Sequence, residues 1–332
     1  MEMIKKISIR LLLLTAIVIA SNFIYVNTTY HDDLEGNGNV LLKFNLAIEK
    51  SDALYFSESP NQATSVNDSD KRFISQMMDD LLPELRLEAV DTGAIHAGVF
   101  KELIQLIPEE SNVNYVIVNM NYRSFGMDWI HSKLENSIQK QLVFYSNRPP
   151  LINRFLQGLN YYDALPNEER ERLIQWHWQH DSLPFPAPKN NVTDWCAVEK
   201  WGDWKNPKRQ LADQYIKNFA FTLSDENPRI KDFDEIVEIC KAKNLKLIFV
   251  ILPENLEEAK MLVGEDLVNL MTSNKNKLVE RYNAKGAKVV DCFSIVPDSC
   301  FIERAFPSEH YNQLGRMMIA TNVVTAIESF PQ

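Results

Sequence analysis

Residues 53–61 read Ala-Leu-Tyr-Phe-Ser-Glu-Ser-Pro-Asn, an apolar run that stops at two serines flanking a glutamate. The run predicts a short β-strand over residues 53–56, because it is apolar and a turn signal follows it. A strand that ends at a serine can hold the hydroxyl out of the sheet, beside backbone N–H groups that bind an oxyanion. Ser59 is therefore a candidate nucleophile, and the alternative is that it only caps the next helix.

A second stretch far downstream supports the catalytic alternative. Residues 308–316 read Ser-Glu-His-Tyr-Asn-Gln-Leu-Gly-Arg, which puts His310 just before the predicted start of the last helix. A histidine next to a serine in space can take the hydroxyl proton as a general base. We therefore expect the fold to bring His310 to Ser59.

Between these two stretches, predicted strands and helices alternate. The expected strands cover residues 53–56, 85–90, 115–119, 245–252 and 288–291. Five strands separated by helices predict a doubly wound, flavodoxin-like α/β domain with a mostly parallel sheet. Ligands of such sheets bind beyond the carboxyl ends of the strands. Four polar residues fall at or just after such ends, so we expect one site to collect them: Ser59, Asn121, Glu254 and His310.

Residues 129–215 interrupt the alternation and are rich in tryptophan, tyrosine and proline. We interpret them as a long structured insertion, with a helix over residues 168–179. Its aromatic side chains either form a satellite core over one face of the domain or provide a rim for sugar rings or an acyl chain. After the insertion, residues 256–284 predict one long helix, and residues 313–329 the last helix.

The N-terminus carries a targeting signal. Lys5, Lys6 and Arg10 precede residues 11–26, an almost unbroken apolar run that indicates a signal peptide or a signal anchor. The run is near the lower length limit for crossing a bilayer, so we favour an uncleaved anchor over residues 1–29 and an α/β domain over residues 30–332. Basic residues before the run favour a cytoplasmic N-terminus, which predicts that the domain lies on the outer, periplasmic or extracytoplasmic face. Cleavage of the signal would instead make the protein secreted.

The charge and the cysteines limit the possible partners. A formal net charge of -10 argues against binding nucleic acid and against lying flat on anionic lipid. The cysteine and histidine spacings indicate no metal site, and we expect no cofactor. Cys292 and Cys300 are close enough in sequence to bridge one loop in an oxidising compartment.

Four sequence blocks resemble, in part, those of the SGNH (GDSL-type) hydrolases. Their first block is a strand followed by Gly-Asp-Ser or Gly-Ser-Ser, and residues 56–59, Phe-Ser-Glu-Ser, take that place without the glycine. The match implies that Ser59 is the nucleophile, with its own N–H in the oxyanion hole. The second block, a glycine after the second strand, leaves Gly93 and Gly98 as alternatives for a further oxyanion donor. The third, Gly-x-Asn-Asp, matches only at Asn121, whose amide would add another donor.

The last block of the family is Asp-x-x-His, which implies that His310 is the base. Pro307 stands where the family has its aspartate. The remaining alternatives are a Ser-His dyad, an acid borrowed from Glu309, Glu303 or Asp298, or an inactive site. Glu309 is nearest in sequence and is our assignment, although adjacent side chains usually diverge.

The anchor and the large insertion also resemble envelope-facing proteins of lipoteichoic-acid D-alanylation and of glycan O-acetylation. That resemblance implies acyl-ester chemistry on a cell-envelope glycan or related polymer, beside a membrane-bound O-acyltransferase. Water as acceptor would make the protein an esterase, and a sugar hydroxyl would make it an O-acyltransferase. Two other hypotheses stay open. The protein is either an inactive SGNH-fold protein that binds glycans or serves as a scaffold, or an unrelated α/β binding domain.

Overall fold

A five-stranded parallel sheet forms the centre of the computed structural model, which describes residues 2–198 and 200–330. The strands are β1 Ala53–Ser57, β2 Leu87–Asp91, β3 Tyr115–Met120, β4 Lys246–Ile251 and β5 Lys288–Asp291. Their order in the sheet is β2-β1-β3-β4-β5, the flavodoxin-like order, which confirms the predicted doubly wound fold class. The predicted division at residues 29 and 30 stays a prediction, and its outer limits, Met1 and Gln332, lie outside the described residues.

The central strands β1, β3 and β4 are mainly apolar and buried along almost their whole length, because helices cover both faces of the sheet. Side chains alternate between the faces: Phe56 and Val118 belong to the larger core. Their neighbours Tyr55 and Ile117 belong to the core on the opposite face. This double burial leaves the chemistry to the loops at the carboxyl ends of the strands.

Helices surround the sheet on both sides. Those before the insertion are α1 Glu2–Thr28, α2 Tyr30–Asn37, α3 Asn39–Ile48, α4 Ser59–Gln62, α5 Ile74–Leu81 and α6 Ala97–Gln105. The predicted insertion is built from helices: α7 Met127–Ile130, α8 Glu135–Leu142, α9 Pro150–Asp163, α10 Asn167–His180, α11 Val192–Cys196 and α12 Pro207–Phe219. The remaining helices are α13 Pro228–Ala242, α14 Leu256–Leu262, α15 Glu265–Ala284 and α16 Gln313–Glu328.

One helix differs from its prediction because of a single glycine. The long helix expected over residues 256–284 is divided into α14 and α15 at Gly264. Gly264 has a φ of 129°, a conformation that glycine adopts without a Cβ penalty and that cannot continue a right-handed helix. The break gives the chain a corner before the long helix α15.

Helix α1 spans 27 residues, and none of its side chains is buried against the domain. An 18-residue stretch of α1 has a mean hydropathy of 2.1, so the helix is long and apolar enough to cross a membrane, a property that signal sequences share.

The four cysteines are free and buried, so the possible Cys292–Cys300 bridge is not formed. Both side chains belong to the smaller core, where they pack as small apolar groups. Burial also raises the pKa of the Cys292 thiol to about 12.

Candidate active site

Ser59 lies at the turn from β1 into α4, at the carboxyl end of the sheet. Glu58 is still in extended conformation, and Pro60 in the first turn favours the start of the helix because its φ is already helical. As the first residue of α4, Ser59 has an N–H group without an acceptor inside the helix. The turn therefore presents a hydroxyl and a backbone donor together.

The fold brings His310 to this serine. Nε2 of His310 lies 3.0 Å from Oγ of Ser59, although the two residues are 251 positions apart. His310 stands just before α16, where Asn312 caps the helix by accepting from the N–H groups of Leu314 and Gly315. The distance suits transfer of the hydroxyl proton to an imidazole.

Glu303 contacts the other nitrogen of the same imidazole. Its Oε2 lies 3.0 Å from Nδ1 of His310 and also accepts a hydrogen bond from Ser308 Oγ. An isolated antiparallel bridge between Phe301 and Tyr311 holds the segment of Glu303 against that of His310. Serine, imidazole and carboxylate thus form one continuous chain of hydrogen bonds, the arrangement of a catalytic triad.

Glu309, which we assigned from the sequence as the triad acid, lies elsewhere. Its carboxylate is 1% exposed and accepts two hydrogen bonds from the guanidinium of Arg123. Neighbouring side chains of an extended segment point to opposite sides, so Glu309 turns inward where His310 turns to the serine. Asp298, the third alternative, binds Arg304 and Asn255. In the structure, Glu303 takes the position that we expected for Glu309.

The two glycine candidates for the oxyanion hole differ in what surrounds them. The N–H of Gly98 donates to Nδ1 of His96, and a Cβ on Gly98 would lie 2.9 Å from that ring. Gly98 is therefore already part of a packed contact. A Cβ on Gly93 would meet no atom within 4 Å, and Gly93 closely follows Asp91, the last residue of β2, which pairs in register with Ser57 at the end of β1. Of the two, Gly93 suits an oxyanion donor better.

Asn121, the third expected donor, lies at the end of β3 between two carboxylates. Its Nδ2 donates to Glu58 Oε2 at 3.2 Å and to Glu309 Oε2 at 3.3 Å. Its Oδ1 accepts from the N–H of Arg123. Both amide protons thus already have acceptors. Asn121 must therefore give up one of these hydrogen bonds before it can donate to an oxyanion.

Three buried glutamates surround Arg123 and Asn121, a group we call the carboxylate cluster: Glu58, Glu254 and Glu309, each no more than 5% exposed. Burial raises the pKa of Glu58 to about 8, and the charge of Glu309 adds to the rise. The pKa of Glu254 is also raised, by burial and then by Glu309. With Glu58 and Glu254 protonated, the cluster holds one ion pair, Arg123 with Glu309, instead of three competing charges. The strand-end position of Glu254 was visible in the sequence, but its burial was not.

The raised pKa of Glu58 predicts a loss of stability with rising pH. The native state keeps a proton that the unfolded chain releases near pH 4.5, so the free energy of unfolding falls as pH approaches about 8. Relative to Glu58→Gln, the wild type should lose about 3 kcal/mol between about pH 5 and about pH 8. Urea unfolding at both pH values measures this difference, with the exposed Glu88→Gln as control. Parallel pH dependences of wild type and Glu58→Gln would contradict it.

A cavity of about 530 Å³ lies between the insertion and the segment after α12. Its wall includes Phe125, close in sequence to Asn121, together with His131, His177, Trp178 and Phe221. The rings of His131 and His177 stack at 5.4 Å. Another tryptophan of the insertion, Trp195, is buried in the larger core. Trp195 thus packs in a core and Trp178 lines a cavity, and the expected rim for sugar rings or an acyl chain stays a prediction.

Among residues 2–198 and 200–330, no group of three or more His, Cys, Asp or Glu side chains is arranged to hold a metal ion.

Comparisons with known proteins add little to this geometry. No protein-family model and no curated protein matches the sequence. The chain is similar to a solved structure from Bacteroides fragilis, assigned as an acylhydrolase, and to an acetyl-xylooligosaccharide esterase from Geobacillus. Each is 11% identical with a TM-score of 0.37, over 86% of this chain and 92% and 97% of those chains respectively. Likeness at this level carries no argument about activity.

Proposed function

We propose that the protein is an SGNH-type serine esterase or O-acyltransferase that acts on acyl esters. One observation carries the proposal: Ser59, His310 and Glu303 are joined by two hydrogen bonds of 3.0 Å at the carboxyl end of the sheet. This is where doubly wound domains bind their ligands, and the connectivity is that of a triad.

In the proposed reaction, Ser59 Oγ attacks the ester carbonyl carbon while His310 Nε2 takes the hydroxyl proton. Glu303 accepts the Nδ1–H bond and stabilises the imidazolium that forms. His310 then gives the proton to the leaving alcohol oxygen, and the acyl group remains as an ester on Ser59. The acceptor, water or a sugar hydroxyl, then attacks the acyl carbon and gives its proton to His310, which passes a proton to Ser59 Oγ as the acyl–serine bond breaks.

The tetrahedral oxyanion needs hydrogen-bond donors. The N–H groups of Ser59 and Gly93 are the first two, and one well-placed donor contributes roughly 3 to 4 kcal/mol to the barrier reduction. Asn121 can add a third if it turns one N–H from the carboxylate cluster to the oxyanion. Protonated Glu58 is a weaker acceptor than a carboxylate, which lowers the cost of that turn.

The proposed substrate is an acylated cell-envelope glycan or related polymer, and the proposed partner is a membrane-bound O-acyltransferase. The support is the resemblance in architecture: an apolar N-terminal helix and a large aromatic insertion on an SGNH-like domain. The cavity with His177 and Trp178 suits a sugar ring or an acyl chain, since its wall combines aromatic faces with hydrogen-bonding groups. Helix α1 would keep the domain on the outer face of the membrane.

One observation favours a second candidate function, an inactive SGNH-fold protein that binds glycans or serves as a scaffold. The Asn121 amide is held by the carboxyl groups of Glu58 and Glu309, where an esterase needs a free donor. In that case the Ser59–His310 contact would be present but would not catalyse a reaction.

Labelling with a fluorophosphonate probe distinguishes the two candidates, because the probe reacts with an activated serine. We expect the full-length protein in detergent to be labelled, Ser59→Ala to be unlabelled, and His310→Ala to react at least about 10²-fold more slowly. Ser273→Ala, at an exposed position of α15, is the matched control and should label like the wild type. A folded wild type that resists the probe would favour the inactive protein.

A further inference from the structure

Helix α9 lies beside α1 within the apolar run of α1. The N–H of Leu151, in the first turn of α9, donates to Oδ1 of Asn22 at 2.9 Å. Asn22 precedes Val26, the last residue of the apolar run, by 26 − 22 = 4 positions. At a rise of about 1.5 Å per residue, the start of α9 is therefore about 6 Å below the end of that run.

Two further contacts fix this arrangement. Arg154 of α9 forms a salt bridge of 2.9 Å with Asp33 of α2. The same carboxylate accepts a hydrogen bond from the hydroxyl of Tyr25, near the end of α1. On its other side, α9 packs against α8 of the insertion. Helix α9 thus links α1 to the domain through specific polar contacts.

Helix α9 has an inner polar face and an outer apolar one. Asn153 and Gln157 are buried on the inner face. Phe155 is 67% exposed and Leu159 is 45% exposed, and their i, i+4 spacing puts them side by side. Among the described residues after α1, Val66 is the only large apolar side chain more exposed than Phe155. Nothing in the described chain covers this apolar face, which we call the Phe155 face.

We propose that α9 is a second membrane contact, lying at the outer surface of the bilayer with the Phe155 face in lipid. The lipid around the bare helix α1 continues over α9, because α9 begins inside the apolar run. Interfacial helices bury their apolar face about 5–10 Å into the headgroup boundary, which agrees with the depth at Asn22.

The bound surface is a zwitterionic or neutral bilayer rather than an anionic one. The net charge of -10 disfavours electrostatic attraction to anionic lipid, so apolar burial and the tether of α1 must hold α9 in place. This inference rests on the proposed membrane anchor and goes beyond it. An anchor alone leaves the domain free to tilt, whereas a second contact fixes its orientation. Helix α10, which lines the cavity with His177 and Trp178, directly follows α9 in the chain.

An environment-sensitive fluorophore on single introduced cysteines tests the inference in the full-length protein. The native cysteines are buried, so the label goes to the new thiol. The sites are Phe155→Cys, Leu14→Cys in α1, and Val66→Cys in an exposed loop, with 67%, 58% and 91% exposure respectively. The protein is inserted into phosphatidylcholine vesicles, and the quencher is a lipid with a nitroxide near the headgroup or deep in its chain.

We expect the headgroup nitroxide to quench the label at Phe155→Cys several-fold more than at Val66→Cys. The deep nitroxide should quench Leu14→Cys most. A label at Leu159→Cys should behave like Phe155→Cys, and it keeps Phe155 in place in case that substitution loosens α9. Quenching at Leu14→Cys with Phe155→Cys and Leu159→Cys as unquenched as Val66→Cys would overturn the inference and leave the anchor. No quenching at Leu14→Cys would overturn both.

Discussion

Glu303→Gln is expected to lower kcat for hydrolysis of a simple aryl acetate by about 10³- to 10⁴-fold, with little change in KM. Glutamine keeps the size of the side chain but cannot stabilise an imidazolium, and its amide N–H would favour the tautomer of His310 with the wrong nitrogen protonated. Because Glu303 contacts the imidazole and not Ser59, the loss should appear in the chemical step. Steady-state kinetics with p-nitrophenyl acetate measure both constants.

Two neighbouring acids provide the controls for this substitution. Asp298→Asn lies in the same region but changes a carboxylate that pairs with Arg304, so kcat should stay within about 3-fold of the wild type. Glu309→Gln should act mainly on stability, because its carboxylate binds Arg123 instead of His310. If Glu303→Gln kept full activity while Glu309→Gln lost it, the triad would have to be reassigned to Glu309.

The fold could be predicted because its signals are local. The run at residues 115–119 is β-branched and apolar, and a stretch of that kind is stable only between two layers of helices. β3 and its neighbours accordingly formed the parallel sheet that the alternation of strands and helices indicated. The break of the long helix at Gly264 was missed because one glycine inside a helical pattern is tolerated more often than it ends a helix.

The pairing of Ser59 with His310 was expected from two short motifs, each tied to a strand end or a helix start. For the acid that binds the imidazole, Glu303 was one of the alternatives, but Glu309 was the assignment. Glu303 reaches His310 because Phe301 and Tyr311 form a β-bridge across a loop. The hydrophobic periodicity of the sequence does not predict such an isolated contact. Proximity in sequence favoured Glu309, but adjacent side chains of an extended backbone point to opposite sides, so Glu309 points away from the imidazole.

The carboxylate cluster shows a different limit of sequence reasoning. Glu58 and Glu254 each follow a strand, where a polar residue usually faces solvent or a ligand. Their burial depends on how the loops close over the sheet and on the guanidinium of Arg123 between them. A sequence can place charged residues at one edge of a sheet, but their protonation is set by packing, because desolvation is the first cause of both raised pKa values.

Arg123→Met is expected to lower the free energy of unfolding at neutral pH by about 3 to 5 kcal/mol. The guanidinium is the counter-charge of Glu309 inside the carboxylate cluster, and it also lies 5.3 Å from the ring centre of Trp129. Methionine fills similar space but leaves the Glu309 charge buried beside two further carboxyl groups. Urea unfolding followed by circular dichroism measures the change, with Arg172→Met at an exposed position of α10 as control.

The double variant Arg123→Met, Glu309→Leu tests whether the stability lost by Arg123→Met comes from the unpaired charge or from the changed packing. Removing both charges eliminates the unpaired carboxylate, so the double variant should recover more than half of the stability lost by Arg123→Met. The same variant removes one of the two acceptors of the Asn121 amide and leaves Glu58 as its remaining carboxyl partner. An Arg123→Met protein within about 1 kcal/mol of the wild type would show that the ion pair is not what stabilises the carboxylate cluster.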